Sequence, residues 1–225
     1  GYGDPGVEQA MRDAMRSGLI HVSNLFRTAP GEQLAQYLVD HSFASSVFFC
    51  NSGAEANEGA FKIARKLGGS IAPDKKTIVA LRGSFHGRLF ATLAATDRPS
   101  YRAPFTPLAL GGSIVDRDLD ELDATLDAET VAAVILEPVQ GESGIRVIDP
   151  ELLRQLRVLT RDRRIALIFD EIQCGLGRTG TLFAYEQAGV VPDMVTLAKP
   201  LAGGLPMGAV LMNAELAAAM AAGVP

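Results

Sequence analysis

Apolar residues along this chain fall into two kinds of run. Short continuous runs bounded by turn residues recur at 47–50, 77–81, 131–136, 165–169 and 194–198, and each has the length and makeup of a buried strand. Between them lie segments with apolar residues at helical spacing: Val7, Ala10, Met11 and Ala14; Leu34, Ala35, Leu38 and Val39; Ala60, Phe61, Ala64 and Leu67; and Leu152, Leu153, Leu156 and Leu159. The spacing predicts helices over 7–17 and 30–41, a long one following Gly53, a short one over 118–126 and another from Pro150 to Arg163. Gly68 and Gly69 would end the long helix, and Glu58 and Lys62 would pair at i,i+4 on its surface. The segment 99–112, rich in proline and glycine, reads as an irregular surface excursion. Strands alternating with helices, with no internal repeat or linker, predict one α/β domain whose mostly parallel sheet is flanked by helices.

Composition narrows the partners. The 225 residues are 48% hydrophobic, enough for a sizeable core. A net charge of −5 without a basic cluster argues against nucleic acid, so small molecules are expected. Two cysteines, Cys50 and Cys174, are too few for a disulfide framework, and neither has an adjacent base, so both should pack as small hydrophobes. With no long apolar span or signal segment, no membrane partner is expected and the cytoplasm is the expected location. No metal site is expected. The chain opens on Gly1 and stops inside a helical pattern after Ala217, so it reads as a fragment.

The candidate chemistry sits where apolar runs stop. The run 165–169 ends on Asp170 and Glu171, and the run 194–198 ends on Lys199. In a parallel sheet these ends lie on the ligand-binding edge. After the run 47–50 come Asn51, Ser52 and Gly53, a small polar turn opening onto a helix N-terminus, where free N–H groups and the helix dipole favour a phosphate. Taken alone, simple N-capping by Asn51 or Ser52 is the plainer reading of that turn. Nothing matches a dinucleotide fingerprint or a Walker loop. The run 77–81 leads into Phe85, His86 and Arg88, a stacking ring and an anion binder, although Phe85 as a loop anchor and Arg88 as a surface charge are the bland alternatives. Each group singly has such an alternative; a lone Lys199 would be a solvated strand-end lysine. Their conjunction fits a ligand with a phosphate, a flat ring, a basic ring nitrogen and an aldehyde. Pyridoxal phosphate has those parts. Lys199 would supply the amine nucleophile, Asp170 the partner of the ring nitrogen, and Gln173 a donor to the phenolic oxygen.

Five stretches, FFCNSGAEANEGAFKIARK, SFHGRLFATLAAT, VILEPVQGESGI, LIFDEIQCGLGRTGTLFAYE and PDMVTLAKPLAGGLPMGAV, run in order between Val47 and Val210. In them the chain resembles class III pyridoxal-phosphate aminotransferases of fold type I, most closely the acetylornithine and ornithine branch. The resemblance implies the large domain of that fold over 1–225, without the N-terminal arm and the small C-terminal domain, and a homodimer with residues 203–208 near its interface. It implies that Lys199 bonds the cofactor and shuttles the proton, and that Asp170 pairs with the ring nitrogen beside Gln173. It implies that Ser52, Gly53 and Ala54 hold the phosphate, that Phe85 stacks on the ring and that Arg88 binds a substrate carboxylate. Glu137 would be the switch residue that pairs with a second substrate arginine lying beyond this chain; Glu142 shares its motif without a clear role. The implied reaction is transfer of the terminal amino group of N-acetylornithine, or a close ω-amino relative, to 2-oxoglutarate. The stretches KPLAGGLPMGAV and HVSNLF lean towards acetylornithine; ornithine, succinylornithine and 4-aminobutyrate are the sister substrates, and a truncated, non-catalytic binding module is the alternative of another class.

Overall fold

The computed structural model describes residues 3–18, 22, 26–109 and 112–221. His21 and most of HVSNLF lie outside them. The elements follow in chain order as α1 (Pro5–Ser17), α2 (Ala29–Asp40), β1 (Ser46–Cys50), α3 (Gly53–Ile71), β2 (Thr77–Leu81), α4 (Phe90–Ala94) and α5 (Pro99–Arg102). After a single 3-10 turn (Ala103–Phe105) come β3 (Ser113–Val115), α6 (Leu119–Thr125), β4 (Val131–Leu136), β5 (Val139–Gln140), β6 (Arg146–Val147), α7 (Pro150–Asp162) and β7 (Ala166–Asp170). The series ends with α8 (Tyr185–Ala188), β8 (Met194–Leu197), β9 (Gly208–Met212) and α9 (Ala214–Ala221).

Seven strands form one sheet in the order β1-β9-β8-β7-β4-β2-β3, and β5 and β6 make a small separate hairpin. The pairs β2–β3, β2–β4, β4–β7 and β7–β8 are parallel. Only β9 runs against its neighbours, pairing antiparallel with both β8 and β1. Because β9 reverses twice, β1 points the same way as β8. The carboxyl ends of β1, β2, β4, β7 and β8, and the start of β9, therefore share one edge. The chain leaves β2 for the outer strand β3 and returns as β4 on the other side of β2. That reversal opens a crevice between the loops that follow β2 and β4, the usual ligand position in such sheets.

The continuous apolar runs are strands because helices cover both faces of the sheet. Every residue of β4, β7, β8 and β9 is buried, as expected for strands without a wet face. On one side, α3 places Ala56, Ala60, Phe61, Ile63 and Ala64 against Ile78, Ile135 and Ile168. On the other, Leu153 and Leu156 of α7 join Val134, Leu136, Leu167 and Phe169. Leu152 and Leu159 pack only partly, while Thr160 is buried.

Three local expectations need correction. The glycine pair does not end α3: the helix continues to Ile71, and a Cβ on Gly68 would stand 2.5 Å from the Lys75 carbonyl oxygen, so this glycine serves close packing within the helix. Glu58 makes no ion pair with Lys62; its carboxylate accepts the Ala91 and Thr92 N–H groups at 2.9 and 3.1 Å, tying α3 to α4. Residues 99–105 are not irregular but form α5 and the 3-10 turn. Residues 141–145 form the turn of the β5–β6 hairpin. Among the described residues no helix is long and apolar enough to cross a membrane.

Candidate active site

At the shared edge lies a cavity of about 560 Å³ lined by Ser52, Gly53, Ala54, Phe85, Arg88, Glu137, Asp170, Gln173 and Lys199, together with His86, Glu142 and Ile172. All nine residues singled out as site candidates in the sequence thus border one cavity. The structure also supplies the reason each stands where it does.

Ser52 is the N-cap of α3, and its Oγ accepts the Glu55 N–H at 3.2 Å. Glu55 reaches back to the Asn51 N–H at 2.7 Å, a reciprocal arrangement close to a capping box. The capping reading of this turn is therefore correct, and it leaves the Gly53 and Ala54 N–H groups without a protein acceptor among the described residues. An anion can take both at the positive end of a helix of 19 residues. A Cβ on Gly53 would lie 2.8 Å from Ile172 Cδ1, so a side chain here would have to displace Ile172. Gly208 is held more strictly, because its Cβ would lie 2.4 Å from the Ser52 backbone carbonyl oxygen.

Asp170 ends β7 with a side chain 3% exposed. Its Oδ2 accepts from Asn57 Nδ2 at 2.8 Å and stands 2.8 Å from His86 Nδ1, and its Oδ1 accepts the Ile172 N–H at 3.1 Å. Neighbouring Glu171 points elsewhere. It is buried, and its two oxygens accept the Ala184 and Tyr185 N–H groups at 2.6 and 2.8 Å. Burial pushes the Glu171 carboxyl up to about 7 against the pull of those two bonds.

The loop after β2 is pinned on all sides. The Gly83 N–H bonds Asp97 at 2.7 Å, Ser84 Oγ donates to the Ala95 carbonyl at 2.8 Å, and the His86 N–H bonds Thr96 Oγ1 at 2.9 Å. These bonds present Phe85 to the cavity with Arg88 exposed at its mouth. The Arg88 guanidinium lies 5.8 Å from the Phe85 ring centre and 5.6 Å from that of Tyr101 on α5, a cation held between two rings. Glu137, 5% exposed, accepts the Phe85 N–H at 2.9 Å and the Gly141 N–H at 3.3 Å. It therefore clasps the loops after β2 and β4 together. Burial raises its carboxyl to about 7, with His86 lowering it and Asp170 raising it further. Glu142 faces the same cavity, exposed and without a protein partner among the described residues.

Lys199 follows β8, two residues past its end, exposed on the cavity wall. Gln173 packs against Gly141 so closely that a Cβ there would fall 1.2 Å from its Oε1. Cys50 and Cys174 are free thiols that burial pushes up, so neither is activated. The contacts missing from the sequence reading are those of Asn57 and His86 with Asp170. Asn57 carried a signal, being the one amide within the buried stripe of α3.

A family model described as aminotransferase class-III matches residues 1–224. An acetylornithine aminotransferase from Methanocaldococcus jannaschii is 46% identical over 99% of this chain and 56% of its own length. Among solved structures, an (S)-enantioselective omega-transaminase from Thermomicrobium roseum superposes with a TM-score of 0.94 at 32% identity, covering 100% of this chain and 56% of that one. The ornithine aminotransferase from Toxoplasma gondii, whose active site holds pyridoxal phosphate at partial occupancy, superposes with a TM-score of 0.91 at 32% identity over 99% of this chain and 54% of its own. The chain spans about half the length of these relatives.

Proposed function

The chain belongs to the class-III aminotransferases, and on that premise we propose that residues 1–225 form the cofactor-binding large domain of an enzyme that uses pyridoxal phosphate. It moves the terminal amino group of N-acetylornithine, or a close ω-amino relative, to 2-oxoglutarate, working as a homodimer. The observation that carries this reading is the meeting of Asp170, Lys199 and the α3 N-terminus around one cavity. The fit is supported by two unclaimed N–H groups at a helix start, a buried carboxylate opposite, and a glycine at 208 where the Ser52 backbone leaves no room for a Cβ. When bound, pyridoxal phosphate supplies an aldehyde for the amine and a protonated ring that takes up the electrons released at the reacting carbon.

The chain's own groups do the rest. Ser52, Gly53 and Ala54 bind the phosphate. Asp170, fixed by Asn57, His86 and the Ile172 N–H, would face the ring nitrogen. Phe85 covers a ring face, and Gln173 donates to the phenolic oxygen. Lys199 would supply the amine that holds the cofactor's aldehyde and, when freed by the substrate's amine, the base that moves the proton at the substrate's reacting carbon. Arg88 binds a substrate carboxylate at the mouth. Glu137, with both oxygens taken by loop amides, is better suited to clasping the two loops than to reaching for a distant arginine. The exposed Glu142 is the better placed of the two to meet a cation that comes and goes.

The superposition of the ornithine aminotransferase and the omega-transaminase, at TM-scores of 0.91 and 0.94, supports a second reading, in which ornithine, succinylornithine or 4-aminobutyrate is the donor. A donor panel with 2-oxoglutarate and added pyridoxal phosphate tests both. Fastest turnover of N-acetylornithine is expected; faster turnover of a sister amine replaces it with the second reading. A folded protein that turns over no ω-amine would instead be a non-catalytic binding module.

A further inference from the structure

Asn57 sits one turn into α3, fully buried, and its Nδ2 donates to Asp170 Oδ2 at 2.8 Å and to the His86 carbonyl at 2.8 Å. Both amide hydrogens are thus spent on acceptors, so a flipped amide would set its oxygen against two oxygens. The price of this orientation is visible: Asn57 Oδ1 is buried with no hydrogen-bond partner. Leaving such a group unpaired is unfavourable, and an apolar side chain would suit the surrounding stripe of Ala56, Ala60 and Phe61 better. The amide is retained where packing alone argues against it, and what it touches is the carboxylate of Asp170.

We propose that Asn57 is a positioning residue that fixes and aims the Asp170 carboxylate, so that the proton shared between Asp170 and the cofactor's ring nitrogen stays on the nitrogen. This rests on the reading that pyridoxal phosphate occupies the cavity with its ring nitrogen at Asp170. Burial by itself raises a carboxylate's proton affinity, and each donor to the anion lowers it again. Of the two side chains that meet Oδ2, His86 can change its charge and Asn57 cannot. The amide's donation is therefore constant and adds no net charge beside the ring. The same residue links the two polar ends of the cofactor site. Asn57 is four positions after Gly53 on one helix, so the phosphate turn and the ring-nitrogen carboxylate are held in register by a single rigid element.

The test reconstitutes the wild type, Asn57→Leu and Asn57→Ala with pyridoxal phosphate carrying 15N in the ring and reads the 15N chemical shift, with circular dichroism to confirm folding. The wild type should resonate in the protonated-pyridine range. Both variants should fold, bind the cofactor and move towards the unprotonated range, Asn57→Leu further than Asn57→Ala, with turnover falling about tenfold or more. If Asn57→Leu does not fold, the shift in Asn57→Ala decides. A wild-type shift in a folded variant overturns the proposal, even if its melting temperature drops. A wild type that binds the cofactor with an unprotonated ring overturns this inference alone. A wild type that binds no cofactor overturns the functional reading and this inference together.

Discussion

Lys199 and Lys75 stand at opposite edges of the same sheet. Lys199 follows β8 at the carboxyl edge, exposed in a cavity, with no protein partner among the described residues. Lys75 precedes β2 at the amino edge and is wholly buried, its Nζ donating to the carbonyls of Ala128 and Arg163. Those two residues lie just before β4 and β7, so one ammonium ties the turns that enter three adjacent strands. Burial lowers Lys75 below the ordinary lysine value, and Glu129 and Asp127 pull it back up. At one edge two backbone oxygens engage the charge and hold the turns together; at the other the amine is kept unengaged. A lysine available for chemistry is one that the fold leaves without a partner.

The sharpest way to break this contrast is to truncate both. Lys199→Ala should abolish turnover while leaving the melting temperature nearly unchanged, as expected for an exposed position. Lys75→Met should retain the site chemistry in whatever fraction folds but lose about 2–4 kcal/mol of stability in chemical denaturation, because two buried carbonyls lose their donor. An exchange of these outcomes would contradict the division of the two edges.

Asp170→Asn comes next. It replaces an anion with a neutral amide among donors, and kcat should fall about 10²–10³-fold, read by steady-state kinetics at saturating cofactor. Stability should change far less than in Lys75→Met.

Glu171 provides a pH test at the carboxyl edge. Its folded value of about 7 lies above the ordinary 4.5. A raised folded value means that its stabilising contribution is complete below about 4.5 and is lost as pH rises through about 7. The cofactor-free protein should therefore be less stable at pH 8 than at pH 5, by an amount of order 1–3 kcal/mol, and Glu171→Gln should reduce that slope without removing it, because burial raises Glu137 to about 7 as well.

The smallest effects separate two glycines. Gly208→Ala, whose Cβ would press on the Ser52 carbonyl at 2.4 Å, should displace the phosphate turn and weaken cofactor binding about tenfold. Gly69→Ala on exposed α3 meets nothing within 4 Å and should stabilise by about 0.5–1 kcal/mol without touching affinity.

The buried runs of β2, β4, β7 and β8 were legible in the sequence because strands covered on both faces are written as unbroken apolar stretches. The strand ends then exposed Asp170 and Lys199. Strand β9 was not legible, since Gly208–Met212 follows a glycine-rich stretch that carries turn signals, and its antiparallel pairing is set by β1 and β8 far away in sequence. Gly68 read as a helix stop because sequence spacing does not register the Lys75 backbone packed against it. The Asn57 bond to Asp170 spans 113 residues and the His86 bond 84, separations at which no local pattern operates. The Glu137 bond to the Phe85 N–H, which spans 52 residues, was hidden for the same reason.

The central claim is that Lys199 is the amine that bonds the cofactor. Borohydride reduction of the protein loaded with pyridoxal phosphate, followed by proteolysis and mass spectrometry, tests it directly. Covalent label confined to the peptide that contains Lys199, and absent from Lys199→Ala, is the predicted result; stable label on another lysine, or none, would contradict it.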